Sequence, residues 1–268
     1  MSLTGVAIVV GGTSGIGAAI VDRLIRRDLY VVALGLEAAL PTSAAGEASG
    51  SVASRRPHET LIGDARDQGQ LESLAGQAME AAARLDVPFV GAVHVAGGSG
   101  RRFGDGPLDQ ISLEAWRQTV EWNLESVFLS NRAVLKRLLE QDRGGSIVNL
   151  SSVLATHPAP AHFNTHAYAA AKGGITALTL AAAAHYARNN IRLNVIAPGL
   201  IDTPMAARAM SDASIQDYLR NKQPLNGGGA GEATDVAAAA AWLLSDEAKW
   251  ITGQCLAVDG GWSVSEPG

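Results

Sequence analysis

The chain has 268 residues, 47% of them hydrophobic, with a formal net charge of -5 and one cysteine. That is enough apolar material for a sizeable core, and the mild acidity without long Arg or Lys runs argues against nucleic acid binding. One cysteine excludes an internal disulfide and suits a reducing compartment. With no uninterrupted apolar run of membrane-spanning length and no charged-then-apolar leader, a soluble, cytoplasmic protein is expected, with no membrane partner.

Residues 6–10 form a continuous apolar, β-branched run, the pattern of a parallel strand buried on both faces. Gly11-Gly12-Thr13-Ser14-Gly15-Ile16-Gly17 follows at once, then a helical pattern over 17–28 with Ile16, Ile20 and Leu24 at i, i+4 spacing. Strand, glycine turn and helix start are the context of a dinucleotide site. Glycines let the backbone turn tightly and approach a pyrophosphate, which rests on the positive end of the helix. Further strand-like runs lie at 30–34, 60–62, 89–95, 146–150, 192–197 and 255–258, and helical patterns at 68–84, 112–140, 166–188 and 233–245. This alternation predicts an α/β fold: a Rossmann-type doubly wound parallel sheet of about seven strands with helices on both faces. The order of the motifs favours a single domain over 1–268.

Two stretches break the alternation. Residues 38–57 are rich in Ala, Ser and Gly without helical periodicity, and a short or mobile connection is expected there. Residues 203–231, with two prolines and Gly227-Gly228-Gly229, are expected to be mobile and to cover the substrate. Cys255, in an apolar setting, is expected in a strand core. The five tryptophans are expected in the core or at an interface.

Tyr168 and Lys172 stand four apart within a helical pattern and so lie on one face, a turn from each other. A phenol ionises near pH 10, too high for base chemistry at neutral pH, and a cation within reach lowers that value. Such a pair also occurs by chance on many helices; its weight comes from the rest of the chain.

Together with the glycine spacing G-x-x-x-G-x-G, these residues resemble the classical short-chain dehydrogenases/reductases. The similarity extends in family order from about residue 5 to 262. It includes Asn123 in the stretch Trp116 to Asn123 and Gly145-Ser-Ile-Val-Asn-Leu-Ser-Ser152. It continues through Arg192-Leu-Asn-Val-Ile-Ala-Pro-Gly199 and Thr252-Gly-Gln-Cys-Leu-Ala-Val-Asp-Gly-Gly261. The resemblance implies an oxidoreductase moving a hydride between a nicotinamide cofactor and a secondary alcohol or ketone. A sugar, polyol or oxo-acyl compound would be a substrate of that class. Tyr168 would be the acid/base, with Lys172 lowering its pKa and bonding the nicotinamide ribose. Ser152 would orient the reacting oxygen, and Asn123 would hold a proton-relay water. Ser152 and Tyr168 are 16 positions apart, longer than is usual, and the extra length is expected in the pocket wall.

The same resemblance puts the cofactor on Gly11, Thr13, Ser14, Gly15, Ile16 and Gly17. Asp64 and Ala65 would lie at the adenine, Ala96 and Gly97 at a ribose, and Pro198, Gly199, Ile201 and Thr203 at the nicotinamide amide. Glu37 lies 20 residues after Gly17, in the range of the acidic residue that takes the ribose hydroxyls. No Arg or Lys occurs between Leu29 and Ser54, so NAD is favoured. Arg55 or Arg56, folded back onto a 2′-phosphate, would make it NADP. His94 and Val95 replace two Asn of the family pattern, and Val10 replaces a Thr. No metal is expected: His162 and His166 lack a third ligand at suitable spacing. Arg101, Arg102, His157 and Asn164 sit in loops that could face a polar or anionic substrate. The Ala-rich stretch 169–184 implies a homo-oligomer, a dimer or tetramer, as in similar family members. The alternative function is a non-catalytic dinucleotide-binding sensor on the same fold.

Overall fold

Strands made only of apolar residues must be covered on both faces. The computed structural model, which describes residues 3–38 and 58–266, follows that rule. Among the described residues, seven strands form one parallel sheet: β1 (Gly5–Val10), β2 (Leu29–Gly35), β3 (Glu59–Ile62), β4 (Phe89–His94), β5 (Gly145–Leu150), β6 (Ile191–Pro198) and β7 (Cys255–Val258). Their order in the sheet is β3-β2-β1-β4-β5-β6-β7. The order reverses between β1 and β4, so a crevice opens beyond the C-terminal ends of those two strands.

The period of two along a strand divides the core. Val6, Ile8 and Val10 of β1 point to one face, where α2 (Gln68–Leu85), α4 (Ser126–Gln141) and part of α5 (His166–Tyr186) pack. Ala7 and Val9 point to the other face, under α1 (Gly15–Ile25) and α8 (Ala233–Leu244). A third apolar cluster sits beyond the C-terminal ends of the strands. There Val153, Ala159 and Trp262 meet Ala209 of α6 (Ala207–Ser211) and Ile215 and Leu219 of α7 (Ala213–Lys222).

β1 is buried throughout and the other central strands are buried except near their first residues, whereas the edge strands β3 and β7 alternate between half-covered and open residues. Cys255 falls on an open position, so the expected core cysteine is an exposed thiol at the sheet edge. Tryptophans divide too: Trp262 is buried, but Trp250 is 96% exposed and belongs to no core.

The expected helix over 112–140 is real but interrupted. α3 (Leu113–Val120), capped by the Ser112 hydroxyl on the Ala115 N–H, passes into a π-helical turn at Glu121–Glu125 before α4 begins. Residues 203–231, expected as a mobile segment over the substrate, hold the short turn Pro204–Ala206, α6 and α7, the last capped by Asp212. Most of the weak stretch 38–57 lies outside the described residues, as do Arg55 and Arg56. Among the described residues no helix is long and apolar enough to cross a membrane.

Candidate active site

A cleft of about 780 Å³ lies over the β1–β4 crevice, within the range of small-molecule and cofactor sites. It is lined by Gly11, Thr13, Ser14, Gly15 and Ile16 from the glycine turn, and by Glu37, Asp64, Ala65, Ala96 and Gly97 along one wall. Ser152, Tyr168, Lys172, Pro198, Gly199, Ile201 and Thr203 complete it. Two further predicted residues, Gly17 and Asn123, stand behind this lining and shape it.

The glycine turn is built by close packing. Gly11 and Gly12 both donate their N–H to the Leu34 carbonyl (2.7 and 3.0 Å). A Cβ on Gly17 would lie 1.8 Å from the Gly11 carbonyl oxygen, so the start of α1 reaches this position only without a side chain. Ser14, the N-cap of α1, makes no side-chain cap, and the first turn holds no acidic residue. The first N–H groups of α1 therefore face the cleft with the positive end of the helix dipole. An anion such as a pyrophosphate suits this end, and the residues present fit a dinucleotide.

The opposite wall is held from behind. Asn123, buried in the π turn, accepts from the Gly98 N–H (3.0 Å) and donates to the Gly98 and Thr119 carbonyls (3.0 and 2.9 Å). Its amide is committed to backbone, so a relay water at Asn123 would have to use the backbone carbonyl. His94 is fully buried, its Nε2 3.2 Å from the Ala96 carbonyl and 3.4 Å from the Ser126 hydroxyl. Burial, helped by the Lys172 charge, brings its pKa down to about 3, so the ring is neutral. Asp64 is engaged by Arg66, with Nη2 2.5 Å from Oδ2. That guanidinium holds the carboxyl below its usual range.

Ser152, Tyr168 and Lys172 sit on the turn after β5 and on α5. Lys172 is buried and donates from Nζ to the Leu150 carbonyl (2.9 Å) at the end of β5. Its ammonium is 5.6 Å from the Tyr168 ring centroid. Burial lowers Lys172 to about 8. Tyr168 departs from expectation: burial raises its phenol above the usual value, while the Ser152 hydroxyl pulls the other way. Burial is the larger effect, and the lowering by Lys172 expected from spacing does not dominate. Ser151 donates to the Lys172 carbonyl (2.7 Å), tying β5 to α5.

Several contributors escaped the sequence reading. Asp105 accepts from the Ala167 and Tyr168 N–H groups, both at 2.9 Å, and so caps α5 in place of the uncapped Thr165. Gln223 is buried and accepts from Leu200 N (2.6 Å) while donating to Gly229 O (2.8 Å), which fixes the strand after Pro198. Leu154, Phe163, Ala209 and Trp262 form an apolar wall. Asp105 stands 62 and 63 residues from its partners, and no local pattern marks such a cap. Of the loop residues proposed to face a substrate, Arg101 and Arg102 line the cleft and His157 and Asn164 do not. The His162 ring packs on Tyr218, and among the described residues no group of three His, Cys, Asp or Glu is placed to hold a metal.

A cleft with an open helix N-terminus at one end and a hydroxyl, a phenol and an ammonium at the other can hold a dinucleotide beside a proton donor. Comparison with known proteins agrees. A family model described as "Enoyl-(Acyl carrier protein) reductase" matches residues 10–263. A 2,5-dichloro-2,5-cyclohexadiene-1,4-diol dehydrogenase of Sphingobium indicum is 34% identical over 258 residues, 96% of each chain. The 3beta-hydroxysteroid dehydrogenase 1 of Eggerthella lenta is 36% identical over 96% of this chain and 93% of its own. The solved aldohexose dehydrogenase of Thermoplasma acidophilum superposes with a TM-score of 0.81 at 27% identity, covering 99% of this chain and 96% of that one.

Gly17→Ala tests the close approach at the turn. A Cβ 1.8 Å from the Gly11 oxygen forces the backbone apart, at a cost of roughly 1–3 kcal/mol. Denaturant titration should show that loss, and dinucleotide binding should fall with it; a fully stable variant with unchanged binding would refute the packing argument.

Proposed function

The chain belongs to the classical short-chain dehydrogenase/reductase family, and from that membership we propose how its residues divide the work. It is an oxidoreductase acting on a CH–OH or C=O group of a small molecule with a nicotinamide cofactor. The observation that carries the assignment of roles is the convergence of Ser152, Tyr168 and Lys172 in the cleft that the glycine turn opens.

The bound nicotinamide supplies the hydride acceptor in oxidation and the donor in reduction. Tyr168 holds the proton that the reacting oxygen gains or loses. Ser152 hydrogen-bonds that oxygen and orients it. Lys172 places a positive charge under the phenol, and its bond to Leu150 keeps it there. Asn123 fixes the wall at Gly98, and Asp105 fixes the turn of α5 that carries Tyr168. A non-catalytic sensor is not favoured: these groups are all present, and the relatives are named dehydrogenases.

In the cleft that Tyr168 also lines, the apolar Leu154, Phe163, Ala209 and Trp262 suit a secondary alcohol or ketone on a largely apolar skeleton. The relatives act on a cyclic diol, a steroid and an aldohexose, which keeps sugars, polyols and oxo-acyl compounds within the class. The cover over this pocket is the segment 203–231 of a single domain.

We propose NAD as the cofactor. A Cβ at Gly35, the end of β2, would meet Thr13 Oγ1 at 2.0 Å, so no acidic side chain fits there while Thr13 holds its place. Glu37 lies on the cleft two residues later and can accept from the ribose hydroxyls. For assembly, a homotetramer is supported by two open surfaces. One is the face of α4 and α5 with Phe128 and Leu180 exposed; the other is the β7 edge with Trp250 beside it.

Tyr168→Phe should keep cofactor binding and lose turnover by roughly 10²–10⁴-fold; unchanged turnover would remove Tyr168 from the mechanism. The raised phenol also sets the sign of the pH dependence. Below its pKa the phenol is protonated and can donate, so reduction proceeds at neutral pH and slows as pH rises. Oxidation needs the phenolate and speeds up over the same range; flat profiles in both directions would contradict this. Titration by fluorescence should give tighter binding of NAD than of NADP, and the reverse order would overturn the Glu37 argument. Light scattering should return four times the 27.7 kDa chain mass, and a monomer would rule out both surfaces.

A further inference from the structure

We propose that Trp262 is a specificity-determining residue: its indole, held in place by three further aromatic rings, limits the size of the group that the reacting carbon carries. This rests on the reading of the cleft as an alcohol/ketone site. Trp262 is only 1% exposed, and it lines the cleft that Ser152 and Tyr168 also line. The same cleft of about 780 Å³ has to take the dinucleotide as well. The space left beside the indole therefore suits a compact molecule.

Hydrogen bonds fix the chain that carries this indole. Just after β7, the Asp259 carboxylate accepts from the Gly261 N–H (2.9 Å) and the Ser263 N–H (2.8 Å), which folds a turn around Trp262. The turn is clasped to the end of α7. Leu225 donates its N–H to the Gly260 carbonyl (3.1 Å), and the Lys222 ammonium donates to the Ser265 carbonyl. The indole itself is tied to the loop after β5, because Trp262 Nε1 donates to the His157 carbonyl (3.1 Å).

Four aromatic rings then close a circuit of contacts. Between ring centroids, Trp262 is 5.8 Å from Phe163 and 5.6 Å from Tyr218. His162 completes the circuit at 4.5 Å from Tyr218 and 6.5 Å from Phe163. These distances are those of favourable tilted and edge-to-face pairs. The circuit joins three separate pieces of chain: the loop after β5, α7 of the cover and the turn after β7. Phe163 and Trp262 line the cleft, whereas Tyr218 and His162 do not. Tyr218 thus acts through the indole and is a positioning residue. A buried ring packed in this way cannot swing aside without leaving a void, so it gives little to a bulky substrate. The long stretch between Ser152 and Tyr168 supplies the His157 carbonyl, His162 and Phe163. Its extra length goes into holding this wall.

The test compares reduction of cyclohexanone and of 4-tert-butylcyclohexanone by the full-length protein with reduced nicotinamide cofactor. In Trp262→Leu, the ratio of kcat/KM for the bulky ketone to that for the small one should rise by roughly tenfold or more over the unsubstituted protein. Trp262→Phe keeps a ring and should shift the ratio less. Tyr218→Leu should shift it in the same direction as Trp262→Leu, mostly through KM of the bulky ketone, and Tyr218→Phe should restore the original ratio. An unchanged or lower ratio in Trp262→Leu overturns the size limit; should that variant fail to fold, the same result in Trp262→Phe does so. A ratio in Tyr218→Leu equal to the original removes Tyr218 as a positioning residue. If no alcohol or ketone of a broad panel is turned over, the oxidoreductase reading fails. Calorimetric binding of cyclohexanol against 4-tert-butylcyclohexanol then decides the role of Trp262, and equal affinity ratios with and without the indole overturn it.

Discussion

A parallel sheet leaves carbonyl groups pointing past the ends of its strands, and each one covered by protein needs a donor. In this chain those carbonyls hold the site together. Leu34 O takes the N–H groups of Gly11 and Gly12, and Val10 O takes those of Val95 and Ala96. Ile196 O takes Ser151 N, Val258 O takes Gly199 N, and Leu150 O takes the Lys172 ammonium. The rim of the sheet thus fixes the glycine turn, the wall at Ala96, the turn that carries Ser152, the loop after Pro198 and the Lys172 side chain. Loops that need rigid placement gain it from strands whose burial on both faces leaves them no freedom.

This dependence explains which features could be read in advance. The strands and helices were legible because their signals are local: unbroken apolar runs for β1 and β4, i, i+4 spacing for α1 and α5. The glycine turn and the Tyr168–Lys172 spacing were legible for the same reason. The contributions that escaped are long-range. Asp105 caps a helix far along the chain, and Gln223 braces a strand it does not neighbour in sequence. Cys255 looked like a core residue because its neighbours are apolar, yet the last strand lies at an edge, and edge position follows from topology rather than from composition. The phenol of Tyr168 is governed first by burial, which the spacing to Lys172 does not report.

The cleft joins unlike surroundings: the open N-terminus of α1 and Glu37 line it, and so do the buried Lys172 and the apolar Phe163 and Trp262. Behind its wall stands His94, which burial keeps neutral. Tyr168 and Lys172 are both held away from their ordinary pKa values mainly by desolvation. Their proton affinities therefore depend on how much water reaches them.

The π turn at Glu121–Glu125 has a consequence for the rod that contains it. One inserted residue rotates everything beyond it by roughly 100° relative to an unbroken helix. α3 thereby faces α5, while α4, continuing the same rod, faces α2 and β4. A single length of chain serves two packing partners on different bearings, with Asn123 at the change of phase. Residue count across this segment is consequently under tighter constraint than residue identity: removing any one position would restore an even helical pitch, swing one half off its neighbour and carry Asn123 away from Gly98.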